Sequence, residues 1–491
     1  MRRMTLYCLA VGLFAAAPLH AQPDSLWSRT FGGGGSDVCR SLVQTADGGY
    51  ALAGYSFSFG DGSADFYLER TEENAHTLWS RAYGGGNWEL CTSLIQTADN
   101  GFALAGQIYY LEVQDWDFYL VRTDENGDTL WSRTYSGQNE DDCWSLVQTA
   151  DGGFALAGST NSLDAGGADL WLVRTDGNGD SLWSRTYGGG NFDECRSLIQ
   201  TADGGYALAG YTGWYGAGSA DLWLVRTNGN GDSLWSRTFG GGGDEWCNAL
   251  VQTADGGYAL AGWTNSFGAG DQDFYLARTD ENGDSLWSRT YGGQYTDWCS
   301  SLVQTADGGF ALAGYTESFG AGEEDFWLVR TDENGDSLWS RAYGGEGDDE
   351  CHSLIQTANG GYALAGSTSS FGSGNSDFWL VRLGPENSVP NDGNMTPLLF
   401  GLDGVYPNPF NQSTVVSYQL SVVSEVSLSL YDLSGREISN QQLGIRNPGT
   451  HRVVIDSKGG QPGMAILPSG LYILRLTDGR QSALSKVCLV K

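Results

Sequence analysis

The chain has 491 residues, 17% of them charged, and its formal net charge at pH 7 is −33. Every cationic side chain of residues 22–397 is an arginine, and Asp and Glu far outnumber these arginines. A polyanion of this kind excludes nucleic acid and anionic membrane surfaces as partners, since binding to either depends on Lys and Arg. Divalent cations, cationic partners and neutral glycans remain compatible with the charge.

Residues 1–21 predict a secretory signal peptide. They contain the cationic segment MRR, the apolar segment LYCLAVGLFAAAPL and a small-residue cleavage site, so cleavage is expected between Ala21 and Gln22. No later run of ~20 apolar residues predicts a transmembrane segment. The sequence therefore predicts an exported protein.

Residues 22–383 consist of seven copies of a 52-residue unit. The Trp of an LWSR motif recurs at this spacing from Trp27 to Trp339, and one cysteine per unit does so from Cys39 to Cys351. Each unit has four strand-like runs separated by turns rich in Gly, Asp and Asn, without helical periodicity. Such units are typical of β-propeller blades, so we predict an all-β, seven-bladed β-propeller.

The two ends of the repeat region are complementary. It begins with an unpartnered LWSR strand within 24–31 and ends with the strand DFWLVRL at 377–383. We expect the N-terminal strand to be the fourth strand of the last blade, which closes the ring and hides two sheet edges. A β-solenoid is the competing fold, and it has no need of complementary ends.

The composition changes after a linker at 384–397 that contains Pro, Gly and Asn. Lysine appears for the first time in residues 398–491, where short strands alternate apolar and polar residues. This pattern predicts a small immunoglobulin-like β-sandwich.

Residues 398–491 resemble the C-terminal sorting domain of the type IX secretion system, in its type A form. The matching stretches are YPNPFNQSTVVSYQL, VSLSLYDLSGREI, LPSGLYILRL and KVCLVK. The resemblance implies contact with the secretion machinery, transit through the periplasm and outer membrane, removal of this domain, and an extracellular or cell-surface location. The segment is also similar to FlgD-type immunoglobulin-like domains, which have no sorting role. The motif residues are Tyr406, Pro407, Asn408, Pro409, Phe410, Gly470, Tyr472 and Lys491.

The repeats resemble those of secreted bacterial propellers, and TDENGDSLW is similar to the repeat signature of quinoprotein-type (PQQ) propellers. In that signature the Trp packs blade against blade, so the likeness implies packing and no quinone cofactor.

Positions kept in every copy predict structural roles. Trp and Leu of LWSR supply apolar area between neighbouring sheets. Repeat arginines such as Arg289 and Arg330 are expected to pair with repeat acids such as Asp325. The seven equivalent cysteines are expected to be free, buried thiols, because they lie in different blades, beyond the reach of a disulfide.

Few residues indicate catalysis or a cofactor. The DENGD segment at 124–128 matches the first, third and fifth positions of a Ca²⁺ loop but lacks its Gly and Glu, so we interpret it as a hairpin turn. Only His76, His352 and His451 follow the signal peptide, in three different settings, and they indicate no His-based triad. We predict no cofactor, although bound Ca²⁺ remains open. Acids are so numerous that a carboxylate pair for glycoside hydrolysis is always available.

One face of the predicted disc differs from copy to copy. It is formed by the inter-blade links and second turns, in one copy residues 292–299 and 315–324, and is here called the variable face. The uniform face carries the turns TADGG and TDENGD, in the same copy 305–309 and 331–336. The variable face is rich in Trp, Tyr, Asp and Glu, and its repeat-breaking cations are Arg40 and Arg196.

Aromatic rings beside carboxylates suit stacking on sugar rings, or Ca²⁺-assisted contact with a protein. Neutral drift of solvated loops is the alternative, but exposed Trp is uncommon without a use. The residues predicted to bind ligand are Trp88, Trp144, Trp246, Trp298, Trp214 and Tyr295.

We therefore predict a secreted or cell-surface binding module that recognises a glycan or a surface protein through the variable face. Two alternatives remain. One is an extracellular glycan-degrading enzyme with a carboxylate pair on the propeller, and the other is a purely structural surface protein.

Overall fold

The computed structural model describes residues 25–61, 63–162, 166–386, 401–406, 413–420, 424–432, 436–446, 449–456, 468–477 and 482–489. The chain forms two compact units, 1–389 and 390–491. Within the described residues every regular element is a β-strand. The predicted cleavage site at Ala21 and Gln22 lies outside these residues.

The first unit contains seven antiparallel sheets of four strands, numbered here as blades 1 to 7. Blades 1 to 3 are formed by β2 (Asp37–Gln44), β3 (Tyr50–Ser56), β4 (Asp65–Thr71), β5 (Thr77–Tyr83); β6 (Trp88–Gln96), β7 (Phe102–Tyr110), β8 (Asp115–Thr123), β9 (Thr129–Tyr135); and β10 (Asp141–Gln148), β11 (Phe154–Thr160), β12 (Asp169–Thr175), β13 (Ser181–Tyr187). Blades 4 to 6 are formed by β14 (Asp193–Gln200), β15 (Tyr206–Thr212), β16 (Asp221–Thr227), β17 (Ser233–Phe239); β18 (Glu245–Gln252), β19 (Tyr258–Thr264), β20 (Asp273–Thr279), β21 (Ser285–Tyr291); and β22 (Asp297–Gln304), β23 (Phe310–Thr316), β24 (Asp325–Thr331), β25 (Ser337–Tyr343). Blade 7 is formed by β26 (Asp349–Gln356), β27 (Tyr362–Thr368), β28 (Asp377–Leu383) and β1 (Ser25–Phe31).

The N-terminal strand completes the last blade. β1 pairs antiparallel with β28, with Phe31 opposite Phe378, as the complementary ends of the repeat region predict. The first strands of neighbouring blades contact one another in a complete circuit, from β2 through β6, β10, β14, β18, β22 and β26 back to β2. The sheets and their spacing confirm the prediction of an all-β propeller, and the seven first strands surround a central channel.

Each first strand contains a β-bulge directly after its cysteine. In blade 1, Cys39 lies opposite Gly54 and Ser41 opposite Ala53, so Arg40 has no residue opposite it. The same irregularity recurs in the other six blades. Because a bulge inserts an extra residue, it changes which side chains share a face. Cys39 and Leu42 are thereby both buried in one cluster, although they are three residues apart.

The packing roles predicted for the repeat cysteines and for Trp of LWSR are confirmed. The role predicted for Leu of LWSR is wrong in six copies, where the side chain points outward and is at least half exposed, as for Leu26 and Leu78. The seven cysteines of the propeller are free and fully buried, and burial raises the pKa of the Cys39 thiol to about 12. The Trp79 ring of blade 1 meets Phe102 of blade 2 edge to face, 5.9 Å between centroids. The DENGD segment is a hairpin turn, in which Asn126 N donates to Asp124 Oδ1 at 2.9 Å.

Serine hydroxyls join the first strands of neighbouring blades. The backbone N of Leu94 donates to Ser41 Oγ at 3.1 Å, and Leu42 N donates to Ser353 Oγ at the same distance, which links blade 1 to blade 7. Six such hydrogen bonds run around the channel. Ala249 occupies the seventh serine position.

Repeat arginines do pair with repeat acids, as predicted, but the acid named for this role, Asp325, is the wrong one. Arg330 Nη2 instead binds Asp307 in the TADGG turn of its own blade at 2.5 Å, and its Nε binds Glu386 at 2.8 Å. Arg289 of LWSR lies 3.5 Å from Asp336 in the TDENGD turn of the next blade. Repeat spacing alone does not distinguish three acids that recur with the same period, so the sequence could not select the right partner.

The second unit has two antiparallel sheets. One has the order β29 (Gly401–Tyr406), β30 (Ser413–Leu420), β33 (Gly449–Asp456), and the other β32 (Glu437–Arg446), β31 (Ser424–Asp432), β34 (Gly470–Thr477), β35 (Ser482–Leu489). Their side chains share one core, in which Val416 of the first sheet packs with Leu428 and Leu474 of the second. Of the sorting motif, Tyr406 ends β29, Gly470 begins β34, and Tyr472 is buried with its hydroxyl donating to Pro468 O at 2.6 Å. Pro407, Asn408, Pro409, Phe410 and Lys491 lie outside the described residues.

Candidate functional site

At the mouth of the central channel, on the variable face, half-buried repeat positions carry different residues in different copies. Each first strand runs from an inter-blade link on this face toward a TADGG turn on the other. The residues immediately before and after its cysteine differ from copy to copy. Those before are Val38, Leu90, Asp142, Glu194, Trp246, Trp298 and Glu350, and those after, at the bulge, are Arg40, Thr92, Trp144, Arg196, Asn248, Ser300 and His352. We call these fourteen residues the channel mouth.

All seven bulged side chains line one cavity of about 250 Å³. Trp298, Glu350 and the second-strand residue Tyr315 line it as well. Seven identical blades would give a symmetric channel, but this one has a different side chain from nearly every blade. The cavity therefore brings together side chains of different chemistry from all seven blades.

A continuous wall of aromatic rings occupies one side of the mouth. Trp246 stacks on Tyr211, with 4.2 Å between ring centroids and 13° between planes, and lies 5.5 Å from Trp263. Trp263 is 5.1 Å from Trp298, which is parallel to Tyr315 at 6.2 Å. Offset stacked and edge arrangements of this kind are favourable beyond the area they bury. These five residues, from blades 4 to 6, are here called the aromatic arc.

An internal cation lies at one end of the aromatic arc. The Arg196 guanidinium lies 3.7 Å from the Trp144 ring centroid and 5.7 Å from that of Trp246. It forms an ion pair with Glu194, whose Oε2 also accepts a hydrogen bond from the Tyr211 hydroxyl at 3.2 Å. Burial raises the pKa of the Glu194 carboxyl, and Arg196 opposes that rise. Cation–π contact and ion pair together hold this end of the arc rigid.

The opposite side of the mouth is polar. Arg40 Nη1 lies 3.3 Å from His352 Nδ1, and His352 Nε2 lies 3.3 Å from Glu350 Oε2. Burial and the neighbouring Arg40 lower the pKa of His352 to about 4, while the hydrogen bond from His352 lowers the pKa of Glu350. A neutral His352 can accept from Arg40 at one ring nitrogen and donate to Glu350 from the other.

Hydrogen-bonding groups lie between these two sides. Thr92 Oγ1 donates to Cys143 O at 2.9 Å, and Asn248 Nδ2 donates to Cys299 O at 2.7 Å, so both bulged side chains reach the next blade. The side-chain oxygen of Asn248 and the hydroxyl of Ser300 remain available to a ligand, since no hydrogen bond within the described part of the chain engages them. Burial, with help from Glu194 and Glu140, raises the pKa of the neighbouring Asp142 to about 6.

The structure brings together only half of the residues predicted to bind ligand. Trp88 is 38% exposed and lies 6.1 Å from Tyr109, in a separate cluster on blade 2. Trp214 and Tyr295 are more than half exposed, on a second turn and an inter-blade link. The three that meet at the channel mouth are Trp144, Trp246 and Trp298.

The sequence analysis missed the roles of His352, Tyr211, Trp263 and Tyr315, and it placed Arg40 on the variable face without a role. A usable signal was present in the spacing of Cys and Leu three residues apart. A regular strand cannot bury both on one face, so this spacing indicates a bulge and an extra residue that points elsewhere. The extra residues of the seven copies, from Arg40 to His352, are therefore the side chains that line the channel together.

Metal-binding clusters and membrane-spanning helices were sought in the described ranges alone. These ranges contain no set of three or more His, Cys, Asp or Glu side chains arranged to hold a metal ion. Nor do they contain a helix with the length and hydropathy needed to cross a membrane.

Residues 404–491 match the family model of the secretion system C-terminal sorting domain. This match confirms the predicted type IX sorting domain in the second unit. Such a sorting tail implies secretion to the cell surface or the extracellular space, and it implies interaction with the type IX secretion machinery.

Comparison with solved structures finds remote likenesses of the fold. PorZ, a surface component of the type IX secretion system of Porphyromonas gingivalis, is 12% identical with a TM-score of 0.43; the match covers 94% of this chain but only 60% of PorZ. A fungal alcohol oxidase of the AA5 family is 12% identical with a TM-score of 0.48, over 96% of this chain and 100% of that one. Sqt1 from Chaetomium thermophilum is 14% identical with a TM-score of 0.42, over 70% of this chain and 82% of that one. A search of curated proteins finds no match. None of these likenesses bears on function.

Proposed function

We propose that this protein is an extracellular binding module that takes a glycan at the channel mouth. The observation that carries the proposal is one end of the aromatic arc, Trp298 and Tyr315, which lines a single cavity together with a carboxylate and hydrogen-bonding side chains. Ligand pockets combine apolar and aromatic walls with a few placed polar groups. Aromatic faces stack on sugar rings, and the polar groups bind hydroxyls.

The size of the cavity favours a small group over an extended chain. Its volume of about 250 Å³ is below the ~300–1,000 Å³ of sites for drug-sized ligands, so it suits one sugar ring or chain end. Trp298 and Tyr315 offer ring faces to that group. Ser300 and Asn248 lie at the adjacent bulge positions, where they can hydrogen-bond its hydroxyls.

The two glutamates of the channel mouth favour binding over the alternative of a glycan-degrading enzyme. Glu194 is engaged by Arg196 and by the Tyr211 hydroxyl, and Glu350 is engaged by His352. A glycosidase needs one carboxyl free to protonate the leaving group and another free to act as base or nucleophile. Carboxylates held by internal partners serve better as fixed parts of a wall.

The test is a glycan array with the purified protein, followed by titration calorimetry on the glycans that bind. Trp298→Ala removes a ring that lines the cavity, and we expect it to weaken binding about tenfold or more. Phe319→Ala is the matched control, since this ring lies on the same blade and face, is 45% exposed, and is outside the channel mouth. Equal affinity of wild type and Trp298→Ala would contradict the proposed site, and absence of binding across the array would contradict glycan recognition.

A further inference from the structure

Two buried carboxylates face each other at every junction between neighbouring blades. One belongs to the Asp at the start of the third strand of a blade, such as Asp273. The other belongs to the acid at the start of the first strand of the next blade, such as Asp297. The series runs from Asp65 with Glu89 at the first junction to Asp377 with Asp37 at the last. Each of these acids is at least nine-tenths buried. They are here called the junction carboxylate pairs.

At six of the seven junctions a glycine of the inter-blade link lets the two carboxylates approach, and Ser136 takes its place between Asp117 and Asp141. A Cβ added to Gly292 would overlap Asp273 Oδ1 and lie 2.7 Å from Asp297 Oδ2. Gly344 has the same relation to Asp325 and Asp349. Asp273 Oδ1 and Asp297 Oδ2 therefore lie around the same point. They are closer together than the ~4.6–5.2 Å that separates two oxygens on opposite sides of a Ca²⁺ ion.

Hydrogen bonds orient one oxygen of Asp273 and leave the other unpaired. Its Oδ2 accepts from Ala269 N at 2.8 Å and from Gly270 N at 3.4 Å. Its Oδ1, which faces Asp297, is buried without a hydrogen-bond partner in the described part of the structure. Asp325 repeats this arrangement: backbone N–H groups hold Oδ2, and Oδ1 is buried without a partner.

Asp297, the second carboxylate of this pair, has both oxygens hydrogen-bonded. Asp297 Oδ2 accepts from Gly293 N at 2.7 Å, and Asp297 Oδ1 accepts from the Thr316 hydroxyl. Two carboxylates oriented at each other in a buried site repel, because the low dielectric strengthens their interaction. Burial and the neighbouring Asp297 both raise the pKa of Asp273. The site thus has two anionic groups and one unsatisfied oxygen, and it lacks a positive charge.

The geometry points to a Ca²⁺ ion bound between the two carboxylates of a junction pair, one ion at each of the six junctions with a link glycine. Ca²⁺ takes oxygen ligands only, and two carboxylates provide up to four of its six to eight. Backbone carbonyls and water complete such shells, so no third acidic side chain is required. The hydrogen bonds to the outer oxygens are those that orient ligating carboxylates in metal sites.

Two properties of the chain favour occupation of these sites. The sorting domain directs the protein out of the cell. Extracellular modules bind Ca²⁺ with dissociation constants of ~10⁻⁴–10⁻³ M. The net charge of −33 raises the local concentration of divalent cations. An ion between Asp273 and Asp297 joins two blades, so binding couples to the stability of the whole circuit. This site is independent of the glycan site in the channel mouth.

The test uses the purified full chain after removal of metal with EDTA. We expect millimolar CaCl₂ to raise the thermal unfolding midpoint by several degrees above that in NaCl of equal ionic strength. Equilibrium dialysis with ⁴⁵Ca²⁺ should find up to six ions per chain. The double variant Asp273→Asn/Asp325→Asn should bind two fewer. Asp271→Asn is the control, because Asp271 is an exposed acid two residues from Asp273.

Three results would overturn the inference. The first is less than one Ca²⁺ bound per wild-type chain, which needs no variant to fold. The second is equal Ca²⁺ binding by wild type and the double variant. The third is a metal-free protein that becomes more stable as the pH falls toward 5 and gains nothing from CaCl₂, since a proton shared between the carboxylates would then satisfy the pair.

Discussion

Arg40 of the first blade and His352 of the last are in direct contact, with Arg40 Nη1 3.2 Å from His352 Nε2. The two residues are 312 positions apart in sequence, and each is the bulged residue of its first strand. Their contact lies at the junction where the N-terminal and C-terminal blades meet. The ends of the repeat region are thus joined in the channel as well as at the outer edge, where β1 pairs with β28.

His352 should lower the stability of the propeller in mild acid. Its folded-state pKa of about 4 is below the ~6.5 of an exposed His, so the unfolded chain binds the proton first as the pH falls. Stability is therefore retained above pH ~6.5 and lost progressively toward pH 4. His352→Gln should remove this part of the loss, which denaturant unfolding at pH 7 and pH 4.5 would detect.

Arg40→Gln is the companion variant, because Arg40 is a cause of the lowered pKa of His352. We expect NMR titration to find a higher His352 pKa in this variant than in the wild type. Residues 22–491 contain only three histidines, so the signals can be assigned. An unchanged pKa would contradict the contact described for Arg40 and His352.

Ala249→Ser should complete the serine circuit around the channel. Leu302 N occupies the position from which its equivalents donate to a serine of the preceding blade, as Leu354 N does to Ser301 Oγ at 3.1 Å. A seventh hydrogen bond should add about 1 kcal/mol to the free energy of unfolding. Ser301→Ala should remove a similar amount or more, because it leaves the Leu354 N–H without its partner. Destabilisation by Ala249→Ser in denaturant unfolding would contradict this account.

Glu386→Gln should destabilise the sixth and seventh blades. Glu386 Oε1 binds Arg330 Nε at 2.8 Å and accepts a hydrogen bond from the Tyr362 hydroxyl at 2.5 Å. Arg330 is only 2% exposed, so weakening its second ion pair should cost on the order of 1–3 kcal/mol. Glu333→Gln, on an exposed turn, is the control and should leave the free energy of unfolding unchanged within ~0.5 kcal/mol.

Removal of residues 404–491 should stop export without unfolding the propeller. The deleted segment is the sorting domain, and the propeller is a separate compact unit. We expect the truncated protein to accumulate inside the cell envelope and the full chain to reach the surface or medium, as followed by immunoblotting of cell fractions. Normal appearance of the truncated protein outside the cell would contradict the sorting role.

The sequence was sufficient to predict the propeller because its information is periodic. Trp27 and its equivalents define the blades, and the unpartnered LWSR strand predicts where β1 pairs. It was not sufficient for the channel mouth, because a bulge after each cysteine changes the direction of Arg40, Trp144 and their equivalents. Neither was it sufficient for the ion pairs, since Asp307 and Asp325 recur with the same period and only the fold decides which of them meets Arg330.

The aromatic residues illustrate the same limit. Trp246 and Trp298 were predicted as ligand residues from exposure, yet they lie at the channel mouth. There Trp263 contacts both rings, and Tyr315 is parallel to Trp298. Trp88 was predicted from the same composition and lies in another cluster. Composition identifies which residue types are available, whereas cross-strand register decides which of them meet.

The central claim is that a glycan binds in the channel mouth, and the most direct measurement is a crystal structure of the protein with a glycan selected by the array. We predict density for one sugar ring against Trp298 and Tyr315, within hydrogen-bond distance of Ser300 or Asn248. Sugar density confined to the outer loops, at Trp88, Trp214 or Tyr295, with an unchanged channel, would contradict it.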